Sequence, residues 1–263
     1  MEVLNEELRH LKGKAMEGVV YKSTKDGDFK VIEYNDSRNV LVDFISTGYR
    51  TTVLKDQIIK GNIKDKLKPS VFSKGYMGDG NYKSNVNGKY IPAYRTWQNM
   101  LKRCYCPLEL SKRPTYKDCS VHNAWLNYQT FAEWYHANYI EGYALDKDLK
   151  MLNNKVYSAS TCSFVDQRVN NVLSMSNKMR GGNPVGVYYN KRDKKYRSEC
   201  SVDGRKVHIG YYDTAEEAHE AYLSFKINEV KRVANEYKDT LDSTVYNNLV
   251  NITKEQLLTL AEA

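Results

Sequence analysis

Residues 184–239 carry the pattern that most constrains the fold, because three short alternating runs precede one helical run. The three runs are GVYYN, KYRSECSV and KVHIGYY. Asp203-Gly204 separates the second run from the third, and this dipeptide is typical of a two-residue hairpin turn. Alternation of apolar and polar residues predicts a strand in each run. The segment therefore predicts three β-strands joined by turns.

The helix after the third strand has a well-marked beginning. Thr214 and Glu217 have the spacing of a capping box, in which each side chain binds the backbone of the other residue. Beyond them an apolar stripe recurs at helical spacing, formed by Ala218, Ala221, Tyr222 and Phe225. We expect this stripe to pack on the sheet.

Charge separates between the predicted sheet and helix. Residues 185–212 hold seven basic and three acidic residues, a net charge of +4, whereas residues 213–239 have a net charge of −3. A basic sheet backed by an acidic helix suits a protein whose sheet faces phosphates and whose helix faces water. The separation predicts a polyanionic partner.

The segment GVYYNKRDKKYRSECSVDGRKVHIGYYDTAEEAHEAY resembles the AP2/ERF DNA-binding domain. The resemblance implies a three-stranded antiparallel sheet on one helix, with the sheet in the major groove of double-stranded DNA. By strand alternation, the residues expected to face DNA are Tyr188, Asn190, Arg197, Glu199, Ser201, Lys206 and His208. Those expected on the first turn, against phosphates, are Lys191, Arg192, Lys194 and Lys195. Plant members of this family commonly carry Trp and Arg where this chain has Tyr188, Ser201 and His208, so the preferred DNA sequence is not inherited.

The rest of the chain divides by composition and pattern. Four short strands between Gly18 and Leu54 predict an SH3-like β-barrel, which would dock a protein partner or bind nucleic acid. A short helix is predicted over residues 2–14. The predicted architecture is α+β and multidomain, with these divisions: 1–70, N-terminal helix and barrel; 71–90, linker; 91–175, middle domain; 176–184, linker; 185–240, sheet and helix; 241–263, helical tail.

Residues 91–175 predict helices near 91–110 and 124–139, then a β-hairpin and a helix over 143–175. The segments YRTWQNMLKRCY, AWLNYQTFAEWY and NKVYSASTCSFVDQRVNN resemble a group of bacteriophage HNH-like homing endonucleases, in which such a block usually precedes an AP2 domain. The resemblance implies a ββα-metal domain that cuts DNA with Mg²⁺ or Mn²⁺.

In an HNH site a strand residue activates water, and residues beside it and on the helix hold the metal. Here Asp148 and Asn170 are the candidate metal ligands, since Mg²⁺ prefers oxygen ligands. Asp146 stands where a histidine base is expected, and a solvated carboxylate is a weak base at neutral pH. His122 is the alternative base, although no spacing places it at the metal.

A zinc site from Cys104, Cys106, Cys119, Cys162 and His122 is not expected, because Cys-x-Cys followed by a long gap fits no common zinc spacing. The five cysteines lack disulfide-framework spacing and indicate reduced thiols. The chain begins MEVLNEELRHLKGK, without an apolar leader, and contains no apolar run long enough to span a membrane. A cytoplasmic location is expected, in a bacterial host if the phage resemblance holds.

Three functions remain open. The first is a sequence-selective, metal-dependent homing endonuclease. The second is a DNA-binding regulator or anti-defence protein on a degenerate nuclease scaffold, which the missing histidine favours. The third is an adaptor that works through the N-terminal β domain.

Overall fold

The structure is a computed structural model that describes residues 5–175 and 182–262. It is a mixed α+β protein with several small sheets, which confirms the predicted α+β class. It divides into two compact units. The first contains the described residues of Met1–Tyr105 and Asn123–Glu133, and the second those of Cys106–His122 and Trp134–Ala263.

The strands in chain order are β1 (Val20–Ser23), β2 (Gly27–Asp36), β3 (Asn39–Phe44), β4 (Arg50–Val53), β5 (Asn85–Val86), β6 (Lys89–Tyr90), β7 (Ser120–Val121), β8 (Ala144–Asp146), β9 (Val156–Tyr157), β10 (Ser163–Val165), β11 (Val187–Asn190), β12 (Lys195–Val202) and β13 (Arg205–Tyr212). The helices are α1 (Lys55–Lys60), α2 (Pro92–Tyr105), α3 (Pro107–Lys112), α4 (Asn123–Leu126), α5 (Tyr128–Asn138), α6 (Gln167–Val172), α7 (Ala215–Glu236), α8 (Ser243–Val250) and α9 (Lys254–Glu262).

The N-terminal sheet is an antiparallel meander in the order β1-β2-β3-β4. Its core is apolar and includes Phe29, Val31, Val42 and Phe44. The four strands were predicted, but among the described residues they do not close into a barrel, so that part of the prediction is wrong. At the open edge of β1, Lys22 N donates to Asn5 Oδ1 at 2.8 Å and Asn5 Nδ2 donates to Lys22 O at 3.0 Å. Just beyond the strand, Thr24 N donates to Gly61 O at 2.9 Å.

The N-terminal segment differs from the α-helix that was predicted over residues 2–14. Residues 1–4 lie outside the described residues. Beyond them the chain forms two 3-10 turns, Glu6–Leu8 and Gly13–Met16, in place of an α-helix. The second turn buries Met16 in the core of the sheet.

The helix predicted over 124–139 is divided at Asn127 into α4 and α5. Tyr76 causes the division, because it pairs with the chain as an isolated β-bridge opposite Asn127. Its N–H donates to Leu126 O, and its carbonyl accepts from Tyr128 N, each at 2.9 Å. The segment 71–90, predicted as a linker, is thus bound to the helices of the first unit.

In the second unit, β8 pairs antiparallel with β10, and α6 follows β10 directly. The predicted order of strand, strand and helix over 143–175 is therefore present, although the connection between the strands is long and contains β9. Strand β9 pairs in parallel with β7. Helix α6 packs beside β8 and against α7.

Strands β11, β12 and β13 form an antiparallel sheet in that order, and α7 packs on one face. Of the linker predicted at 176–184, residues 176–181 lie outside the described residues. Beyond α7, helices α8 and α9 give the chain its predicted helical tail. They share a core with α6 and α7 that includes Val169, Val233, Leu249 and Leu257.

No helix within residues 5–175 and 182–262 has both the length and the apolar content needed to cross a membrane.

Candidate nucleic-acid interface

The sheet β11–β13 has one face covered by α7 and one face turned away from it, which we call the outer face. Along β12, Ser198 and Cys200 are almost fully buried toward α7, while the residues between and beside them are more exposed. Paired residues of antiparallel strands lie on the same face. The outer face therefore carries three pairs: Tyr188 with Arg197, Glu199 with His208, and Ser201 with Lys206.

A β-bulge in β13 brings one further residue to the outer face. Ser198 pairs with Gly210, whereas Glu199 pairs with His208, so Ile209 is the extra residue. Beyond the bulge the alternation is reversed, and Tyr211 lies opposite Arg197. Strict alternation along the strand did not predict Tyr211 on the outer face. Gly210 could have indicated the bulge, because an isolated glycine in a strand often marks one.

Glu199 lies at the centre of the outer face between two cations. Its side chain is only 9% exposed and forms ion pairs with Arg197 and, at 3.6 Å, with Lys206. Lys206 also donates to the Tyr188 hydroxyl at 3.1 Å and lies 4.8 Å from the centroid of that ring. The outer face is thus a connected set of charged and aromatic side chains held in defined positions.

The first turn of the sheet is organised by Asn190. Its Oδ1 accepts from the backbone N–H of Arg192 at 3.1 Å, and its Nδ2 donates to Asp193 at 2.8 Å. The side-chain amide of Asn190 therefore stabilises the turn, as Asn commonly does. Strand alternation had predicted that Asn190 faces DNA.

The basic residues of this turn differ in their surroundings. Arg192 pairs with Asp193, and Lys195 pairs with Asp213, each at 2.9 Å. Lys191 and Lys194 are exposed at the tip of the turn. Of the four predicted phosphate contacts, these two lysines have the least intramolecular compensation among the described residues.

The predicted catalytic residues lie in the same unit: Asp146, Asp148 and Asn170 are on or beside the β8–β10 pair and α6, whereas His122 is beside β7. Asp146 ends β8, and its Oδ1 accepts from the backbone N–H groups of Asp148 and Leu149 at 2.8 and 2.7 Å. Burial raises the pKa of Asp146, and the nearby charge of Asp148 adds to the increase. A raised pKa is what a carboxylate base requires, but the oxygen Oδ1 is already occupied in holding the turn.

Asp148 is bound by the neighbouring Lys147. The Lys147 ammonium is buried, lies 2.5 Å from Asp148 Oδ1 and donates to Asn154 O at 2.8 Å. Burial alone would lower the pKa of Lys147, but the hydrogen bond and charge of Asp148 outweigh it, so the pKa is raised. The charge of Asp148 is therefore already compensated by a fixed cation.

Asn170 and His122 occupy separate positions in this unit. Asn170 is half-buried on α6, which packs beside β8. His122 is exposed, and its backbone N–H donates to Tyr157 O at 2.9 Å, next to the β7–β9 pair. In the described part of the chain, no three His, Cys, Asp or Glu side chains converge as metal ligands.

Three of the four cysteines of the second unit are thiols shielded from solvent, and the fourth, Cys106, is half-buried. Cys119, Cys162 and Cys200 are buried, and burial raises the pKa of each, to about 12 for Cys162. Thiolate is the form that binds metals and attacks electrophiles. Burial thus disfavours that form at all three positions.

Comparisons of this chain with protein-family models, curated proteins and solved structures gave no match.

Proposed function

We propose that this protein binds double-stranded DNA with sequence selectivity through the outer face of the β11–β13 sheet. The observation that carries the proposal is a face of Arg, Lys, His and Tyr side chains turned away from the packed helix. A narrow sheet of this kind fits the major groove, where base edges display their distinguishing pattern. The resemblance to the AP2/ERF domain supports the same docking.

The contacts divide by position. Lys191 and Lys194, at the tip of the first turn, would meet phosphates and fix the register of the protein on DNA. Arg197, at the centre of the outer face, is the candidate for reading a guanine edge, the commonest specific contact of arginine. Its ion pair with Glu199 holds the guanidinium over the middle of the sheet.

Salt dependence tests the phosphate contacts. Replacement of Lys191 and Lys194 together by Gln should reduce the log–log salt slope of DNA affinity by about 2, at roughly 0.9 for each contact. The matched control replaces Lys231 and Lys238, a lysine of α7 and one just beyond it, by Gln. Fluorescence anisotropy with short duplexes measures both slopes. Equal reductions in the two variants would contradict the proposed interface.

A second candidate function is metal-dependent cleavage of the bound DNA. The observation that favours it is the succession of β8, β10 and α6, which is the strand–strand–helix order of HNH-like nucleases. A bound Mg²⁺ or Mn²⁺ would supply Lewis-acid stabilisation of the scissile phosphate. Asp148 and Asn170 are its candidate ligands.

The donor set does not fit a divalent ion as it is arranged. Lys147 already neutralises Asp148, and Asp146 is engaged with backbone N–H groups. Metal binding at Asp148 would require the Lys147 ammonium to leave it. This arrangement favours the alternative of a DNA-binding regulator or anti-defence protein that does not cut.

Incubation with supercoiled plasmid in Mg²⁺, Mn²⁺ or EDTA separates the two candidates, with a mobility-shift assay alongside. We expect binding without nicking in each condition. Metal-dependent nicking that is lost in Asp148→Ala, with DNA affinity retained, would instead establish the nuclease. The N-terminal sheet stays a predicted docking site for a protein or nucleic acid.

A further inference from the structure

A cavity of about 570 Å³ lies in the second unit, beside the end of the sheet that carries the Asp203-Gly204 turn. Strand β11 begins opposite Ser198, so β12 continues past it from Glu199 to Val202. The cavity opens along this uncovered length of β12 and reaches α7 behind it. Its volume lies within the range of about 300–1,000 Å³ that is typical of small-molecule sites.

Lys226 of α7 lines this cavity and is only 5% exposed. Among the residues that the structure describes, it forms no hydrogen bond or ion pair. Burial lowers its pKa, against the opposing influence of Cys200 and Glu229. Lys226 is therefore a buried cation whose charge lacks direct compensation within the described chain.

The other charged side chains around the cavity are paired. Arg168 contacts Asp203 at 2.6 Å, and Glu199 is shared by Arg197 and Lys206. Glu229 accepts two hydrogen bonds from Arg232, at 2.6 and 2.8 Å. Among the described residues that line the cavity, Lys226 is thus the cation that has no ion pair, whereas Lys206 shares the Glu199 carboxylate with Arg197.

Burying an ammonium group without a counter-charge is costly, whereas an apolar side chain of similar length would pack at no such cost. A ligand that brings a negative charge into the cavity removes this penalty, since a hydrogen bond between charged groups is about twice as strong as a neutral one. The combination of a ligand-sized cavity and one uncompensated cation indicates an anionic ligand.

The charge of Lys226 and the apolar side chains that line the rest of the cavity narrow the class of ligand. Val172, Val185, Val233 and Tyr222 give the cavity a largely apolar side. Lys226 compensates one negative charge, and the second charge of a phosphate ester would have to compete with Glu199 for Lys206. We propose that this cavity binds a small organic carboxylate with an apolar or aromatic body, whose carboxylate pairs with Lys226.

Isothermal titration of the full chain at neutral pH tests this assignment with phenylbutyrate, phenylbutyramide and phenyl phosphate. The amide has nearly the same shape as the carboxylate but no charge. We expect phenylbutyrate to bind at least about tenfold (about 1.4 kcal/mol) more tightly than the amide, since only its carboxylate forms an ion pair with Lys226. Phenyl phosphate should bind more weakly than phenylbutyrate.

Lys226→Met should lose the preference for the carboxylate, because methionine fills the same space without a charge. Lys231→Met is the matched control on the same helix and should behave as the wild-type chain. Equal affinity for acid and amide, undiminished phenylbutyrate binding by Lys226→Met, or no binding of phenylbutyrate at millimolar concentration would each overturn the assignment. Circular dichroism of both variants confirms that they are folded.

Discussion

Arg197 and Tyr211 lie directly opposite each other on β12 and β13, on the face of the sheet turned away from α7. Their pairing depends on the bulge at Ile209, without which Tyr211 would point toward α7. If the outer face binds DNA, Tyr211 belongs to the interface beside the candidate base-reading arginine.

Tyr211→Ala should therefore weaken DNA binding, by about tenfold or about 1.4 kcal/mol. Tyr189 provides a matched control, because both tyrosines are 46% exposed but Tyr189 pairs with Tyr196 on the side of α7. Tyr189→Ala should change DNA affinity little. Anisotropy titrations of both variants measure the difference, and a larger loss in Tyr189→Ala would contradict the assignment of faces.

Glu199→Gln should strengthen DNA binding and relax its selectivity. The Glu199 carboxylate compensates Arg197 and Lys206, and it places a negative charge at the centre of a face that is proposed to meet phosphates. Removing one such charge should make the salt slope steeper by about 1. Titrations with preferred and random duplexes measure both effects. Glu216→Gln, which removes one exposed negative charge from the first turn of α7, serves as a charge-matched control. Unchanged or weaker binding by Glu199→Gln would indicate that the outer face is not the interface.

Gly186→Ala should destabilise the second unit strongly. Gly186 has a φ of +81°, and a Cβ atom there would lie 2.2 Å from the Tyr222 ring. Gly204 has a similar φ of +76°, but its Cβ would meet nothing within 4 Å. Both alanine variants incur the left-handed backbone cost of about 1–2 kcal/mol. Only Gly186→Ala adds a clash, so its loss of unfolding free energy in urea should exceed that of Gly204→Ala. Equal losses would mean that Tyr222 moves aside without cost.

Lys226→Met should stabilise the unliganded protein by about 1–3 kcal/mol near neutral pH, because it removes a buried, uncompensated charge. The advantage should decrease as pH rises. The pKa of Lys226 is lowered by burial, so between that value and the ordinary value of 10.5 the unfolded chain binds more protons than the folded chain. The free energy of unfolding of the wild-type chain therefore increases with pH across this window, whereas that of Lys226→Met does not. Denaturant unfolding at several pH values, with Lys231→Met as control, measures the difference in unfolding free energy between the variant and the wild-type chain. A destabilised Lys226→Met would contradict the absence of a counter-charge.

Features that depend on neighbouring residues were determined by the sequence. The Asp203-Gly204 turn adopts positive φ at both positions, as the dipeptide predicts. Thr214 and Glu217 form both hydrogen bonds of the capping box. Each of these features is decided by interactions within a few residues, so pattern and residue type suffice to predict it.

Features that depend on distant segments were decided only by the tertiary structure. Tyr76 divides a helix at Asn127 that is continuous by periodicity, and the Asn5 side chain binds the edge of β1 where a closed barrel was expected. The bulge at Ile209 reverses the face of Tyr211. The helical pattern of α7 does not distinguish Lys226 from Lys231, the other lysine of the helix, because compensation of its charge depends on side chains from β12, α6 and α7 itself. Register, burial and charge pairing are set by contacts between segments far apart in the chain, and local patterns carry no information about them.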